Sequence, residues 1–160
     1  MIKEFEPVVN GISTLVDEWE PVLLNLSYDV ISNKRNSQNR TIKQIVGHLI
    51  DSASNNIHRI VHLQYQKSPF NFPNYATNGN NDRWIAIQNY QDEDWKNQIQ
   101  LWKYINLHLA HVIQNIKPEK LQNEWIASQD KRVTLQEIVM DFLRHFKLHL
   151  NEIIELIDSK

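Results

Sequence analysis

The segment from Thr134 to Ile157 constrains the fold most. Leu135, Val139, Phe142, Phe146, Leu150, Ile153 and Ile157 recur at helical spacing, and at about 100° per residue they gather into one apolar stripe. A stripe of that length must be covered by other elements. Thr134 with Glu137 three residues on makes a capping box, and Val133 and Ile138 occupy the positions of a hydrophobic staple, which predicts an N-cap at Thr134.

Comparable periods appear from about Phe5 to Leu26, from Thr41 to about Gln66 with Thr41 and Gln44 as a second capping box, and from about Asp92 to Ile116, where Pro118 stops the pattern. Pro21 falls inside the first of these and is expected to kink or split it, because proline removes a donor and crowds the preceding turn. Ser27 to Arg40 reads as a polar surface connection. Ser68 to Asn89 breaks the helical period with Pro69, Pro73 and Gly79; a connection of that length is often a lid or binding loop, and Asp82 is a candidate cap for a short turn through Trp84. A loop with Trp125 and Ile126 leads into the last helix, and no convincing strand is visible. The expectation is an all-α protein, a four-helix bundle in a single domain of 160 residues, with any ligand or metal site assembled from facing helices.

Lys and Arg total 17 against 19 Asp and Glu without a dense basic stripe, which argues against a duplex nucleic acid as partner. The absence of cysteine removes disulfides, thiolate metal sites and a protein thiol nucleophile together. There is neither a signal-peptide pattern nor a run approaching a membrane span, so a cytoplasmic protein with no membrane partner is expected.

The chemistry-bearing feature lies on the flank of the last helix, where Asp141, His145, His149 and Glu152 project together. Imidazoles at i and i+4 can reach one metal ion, and a nearby carboxylate can accept the free ring N–H of a ligand. On spacing alone the commoner reading of His-x-x-x-His is a pair of interfacial or solvated histidines. His48 sits at the polar border of the second helix, beside Ser52. His58 and His62 form another such pair, read as solvated. On the third helix His111 reads as solvated and His108 as a border histidine able to bond backbone. Phe146 stands where a metalloprotease His-Glu-x-x-His motif needs Glu, and the paired Glu-x-x-His motifs of ferritin-like di-iron sites do not occur.

His48-Leu49-Ile50 near the start of the second helix, with Arg144-His145 and Leu148-His149 in a final helix opened by Thr134-Leu135, resembles the DinB superfamily of four-helix metalloproteins. The resemblance covers nearly the whole chain, including the Asn-rich loop before Trp84. It implies a divalent metal, zinc or nickel among others, held by His48, His145 and His149. It also implies kinship with S-transferases and isomerases that use bacillithiol, mycothiol or glutathione, and hence a low-molecular-weight thiol as cosubstrate and a small-molecule substrate. A homodimer is compatible with it. Three neutral imidazoles leave an ion its full double charge and at least one open position, as in catalytic rather than closed sites. Asn80 and Arg83, in a loop expected to lie over that open face, are candidates to orient an anionic group of a substrate or cofactor. Asp141 and Glu152 are candidates to orient the ligands. The competing classes are a metal-dependent hydrolase using the same site and a non-catalytic bundle that binds metal or a small molecule.

Overall fold

The computed structural model describes residues 1–159. Four long helices form the body: α1 (Glu6–Leu24), α3 (Ile42–Tyr65), α5 (Trp95–Gln114) and α6 (Leu135–Asp158). Two shorter helices, α2 (Tyr28–Ser32) and α4 (Asn80–Gln88), lie in the connections. The local signals act as expected at both capping boxes. The Thr41 hydroxyl accepts from the Gln44 N–H while Gln44 accepts from the Thr41 N–H, and Thr134 and Glu137 exchange the same pair of bonds. The first helix is continuous through Pro21 to Leu24, so the expected split does not occur.

Side-chain contacts fix how the helices run. Glu20 meets Lys103 while Leu23 meets Trp95, so α1 and α5 are antiparallel. Gln98 donates to the Lys43 carbonyl near one end and Gln64 accepts from the Lys117 N–H near the other, so α3 and α5 are parallel. Glu4 meets Gln136 and Gly11 faces Leu143, so α1 and α6 are parallel as well. α5 packs on both α1 and α3, and α6 closes the ring against α3 and α1, leaving α1 and α3 across the core from one another. The buried centre includes Ile12, Leu49, Trp102 and Phe146, the last two with ring centroids 5.9 Å apart.

Parallel neighbours cannot be joined by a short turn. At 1.5 Å per residue the 24-residue α3 is about 36 Å long, and residues 66–94 supply the return path along its flank. The long connection legible in the sequence is therefore required by the topology. It carries α4, which starts at Asn80 behind Gly79 in the left-handed region (φ 71°) instead of at Asp82. Asp82 pairs with the buried Arg40 at 2.6 Å.

A three-stranded sheet corrects the expectation of no strand. β2 (Glu124–Ser128) and β3 (Lys131–Thr134) form an antiparallel hairpin, and β1 (Phe70–Asn71) adds to β2 in parallel, Phe70 opposite Trp125. These strands are too short to carry a period of their own and exist through pairing with a distant segment. The sheet anchors the crossover to the start of α6.

Candidate metal centre

α3 and α6 run antiparallel: Asn123, joined by backbone to Leu135 at the start of α6, bonds the Leu63 carbonyl near the end of α3. That register sets residue 48 opposite 149 and residue 52 opposite 145. His48, His145 and His149 consequently meet, each offering a ring nitrogen, with all three nitrogens within 4.8 Å of one another. Ring centroids are 4.5 Å apart for His48–His149 and His145–His149 and 5.5 Å for His48–His145. His48 and His149 are buried, at 3% and 6% exposure, and His145 is half-buried and lines a cleft of about 600 Å³.

Two of the rings are oriented from behind. Glu152 lies 3.1 Å from His149 Nδ1, and Asn36 donates to the same carboxylate at 3.2 Å. A carboxylate that accepts the Nδ1 proton leaves the Nε2 lone pair pointing at the cluster, where His145 Nε2 lies 3.1 Å away. His145 Nδ1 faces the Ser52 hydroxyl at 3.5 Å. His48 Nδ1 is buried without a hydrogen-bond partner. Burial, with the neighbouring rings His149 and His145 adding to it, pushes His48 down to about 2, and burial and His149 push His145 down to about 4. An orphaned buried nitrogen, converging ring nitrogens and two imidazoles held neutral at physiological pH fit a divalent cation, which needs unprotonated nitrogen donors.

Glu152 is where the sequence projection put it. Asp141, the other expected orienter, bonds Arg144 at 2.6 and 3.1 Å and touches no histidine ring. Asn80 and Arg83 bond each other at 2.9 Å on α4; Asn80 lines a smaller hollow of about 210 Å³ with Trp84 and His58, and Arg83 is exposed. Neither lines the cleft that reaches His145. From the crossover, Tyr75 stands beside the cluster, its ring centroid 6.0 Å from that of His48. The sequence reading also missed Asn36, within a stretch taken as plain connection. Ser52 had a signal, since it stands one turn from His48 on the same face. His58 and His111 are exposed as expected, whereas His62 stacks on Phe70 at 5.1 Å and His108 is exposed rather than at the core border.

The depressed histidines make the metal-free fold acid-sensitive. The unfolded chain takes up protons near the ordinary value of 6.5, whereas folded His145 resists until about 4 and His48 until about 2. Stability is thus lost as pH falls below 6.5, by up to about 1.4 kcal/mol per pH unit for each histidine. Asp51 acts in the opposite sense, because burial raises it to about 6 and the folded state binds its proton more readily than the unfolded chain. Between pH 6 and 4 the net slope is that of about one histidine. Calorimetry of chelator-treated protein should show Tm falling across this window, and His48→Gln should flatten the slope; a Tm constant from pH 6.5 to 4 would contradict the burial of neutral rings.

Fold and site together define a four-helix bundle with a three-histidine cluster between two antiparallel helices. The fold is that of YfiT from Bacillus subtilis, described as a probable metal-dependent hydrolase with an unusual four-helix bundle topology. The two superpose with a TM-score of 0.80 at 13% identity, over 98% of this chain and 87% of that one. No protein-family model matches the sequence, and no curated protein matches it.

Proposed function

We propose that the chain is a divalent-metal-dependent enzyme acting on small molecules, and that it joins a low-molecular-weight thiol to an electrophile. The observation that carries the reading is the convergence of His48, His145 and His149, with an unpartnered nitrogen on His48 and with His145 lining a cleft. His48, His145 and His149 would hold zinc or nickel, Glu152 would fix the His149 tautomer, and Ser52 would steady His145. A bound ion supplies Lewis acidity that lowers the pKa of a thiol or water reaching it. The cleft volume lies within the range of small-molecule sites. With no cysteine, the chain needs an external thiol, which also favours a reducing, intracellular setting. In the reaction a sulfur–carbon bond forms, the thiol proton passes to solvent and the acceptor's leaving group departs.

Hydrolysis by the same site is the second reading, favoured by the description of YfiT. Metal content of protein purified without an affinity tag comes first, with about one ion per chain expected. The loaded protein is then incubated with a chlorinated aromatic, with and without bacillithiol, glutathione or coenzyme A, and conjugate is measured by mass. Thiol-dependent conjugation faster than in the His149→Ala protein is expected. Metal-dependent cleavage of a test ester without thiol would favour hydrolysis, and conjugation no faster than in that variant with every thiol would count against transfer to that acceptor.

A further inference from the structure

Arg59 lies on the face of α3 that carries His48 and Ser52, two turns beyond Ser52, or about 10 Å along the axis. It lines the same cleft as His145 yet is only 6% exposed. Its guanidinium stacks on the Trp125 ring at 4.0 Å, with the Tyr75 ring centroid 5.7 Å away. Trp125 is itself fixed through its Nε1–H to the Phe72 carbonyl at 2.8 Å. Nε and Nη2 of Arg59 are buried with no hydrogen-bond partner, and among the described residues no carboxylate pairs with it. The other cleft arginines are neutralised, Arg132 by Glu124 and Arg144 by Asp141.

A buried cation without an anion is costly to a fold, and stacking on an indole offsets only part of that cost. We propose that Arg59 is the anchor for a carboxylate group of the small molecule that enters the cleft. Its two unpartnered donors, Nε and Nη2, form one edge of the guanidinium plane, and a small shift of the side chains that cover them would present that edge to an in-plane, bidentate acceptor, which is the shape of a carboxylate. Ligands are then small organic acids, with the carboxylate at Arg59 and the rest of the molecule extending toward His145. Only that direction rests on the histidine cluster being the reactive centre. The anchor does not depend on a metal, and so it can be tested without one.

Benzoate, with benzamide as its uncharged counterpart, is titrated by calorimetry into chelator-treated protein. The wild type should prefer benzoate by about tenfold or more, as for a charge-assisted bidentate pair. Arg59→Met keeps the stem over Trp125 but removes the charge; it should abolish the preference and raise the Tm of the ligand-free protein. Arg59→Lys should keep part of the preference. Equal affinity of the wild type for the two probes, or a preference retained in Arg59→Met, overturns the proposal. A ligand-free Arg59→Met protein less stable than the wild type also overturns it, since the charge would then serve the fold and not a ligand. None of these outcomes bears on metal binding, so failure here leaves the metal-centre reading standing, and loss of that reading leaves the anchor.

Discussion

His149→Ala should cost the protein roughly a hundredfold or more in affinity for zinc or nickel. Structural zinc sites bind with about 10 to 16 kcal/mol, and removing one donor of three or four forfeits on the order of 3 kcal/mol, each 1.4 kcal/mol being a tenfold change. The loss should exceed that of His145→Ala, because His149 lies 4.5 Å from both other rings, whereas His145 and His48 are 5.5 Å apart. Alanine there also leaves the Glu152 carboxylate, held by Asn36, without the ring it orients. Glu152→Gln removes only that orientation and should weaken binding about 10- to 100-fold, the range for the partner behind a metal-binding histidine. The measurement is competition with a chromophoric chelator, alongside circular dichroism to show that the helices persist. Wild-type affinity in a folded His149→Ala protein would place the ion elsewhere.

Gly47→Ala should be the most damaging single methyl group in the chain. An added Cβ would stand 2.1 Å from Cδ2 and 2.3 Å from Cγ of the Tyr90 ring, whereas ordinary contact begins at about 3.4 Å. Tyr90 is itself buried, and its hydroxyl donates to Asp51 at 2.7 Å, so the ring cannot retreat without leaving that carboxylate. Asp51 then keeps only Gln88, while its second oxygen already has no partner. Overpacking costs about 1 to 3 kcal/mol and a deprived buried acceptor about 1 to 3 more, against a gain of under about 1 kcal/mol from better helix propensity. A net loss of roughly 3 kcal/mol corresponds to a Tm lower by about 10 °C for a chain of this size. Tyr90→Ala opens the space, so Gly47→Ala introduced on that background should cost almost nothing. An additive double mutant would show that the ring is not the obstacle.

The sequence by itself determined the parts of this protein that depend on near neighbours. Thr134 with Glu137 and Thr41 with Gln44 are capping boxes because the bonds close within one turn, and the stripe from Leu135 to Ile157 is apolar at helical period whatever surrounds it. His145 and His149 share a face for the same reason, and so does Glu152. The four long helices and their faces, and hence the four-helix bundle, were therefore legible, whereas the short α2 inside the stretch read as a plain connection was not. Linking His48 to that pair took the likeness to a known family, because spacing within one helix says nothing about which helix lies opposite.

Only the tertiary structure decided the rest. The antiparallel register of α3 and α6 brings residue 48 to 149 and residue 52 to 145. The parallel run of α3 and α5 forces the long return path that sets Tyr75, rather than Asn80 and Arg83, beside the histidines. The pairing of Phe70 with Trp125 creates strands that neither segment encodes alone and lays an indole under Arg59. Whether Asp141 turned to a histidine or to Arg144, and whether Arg59 was left without a partner, depended on side-chain geometry across elements. Such contacts join residues far apart in the chain, and their energies exist only once packing has brought the groups together and removed the water between them.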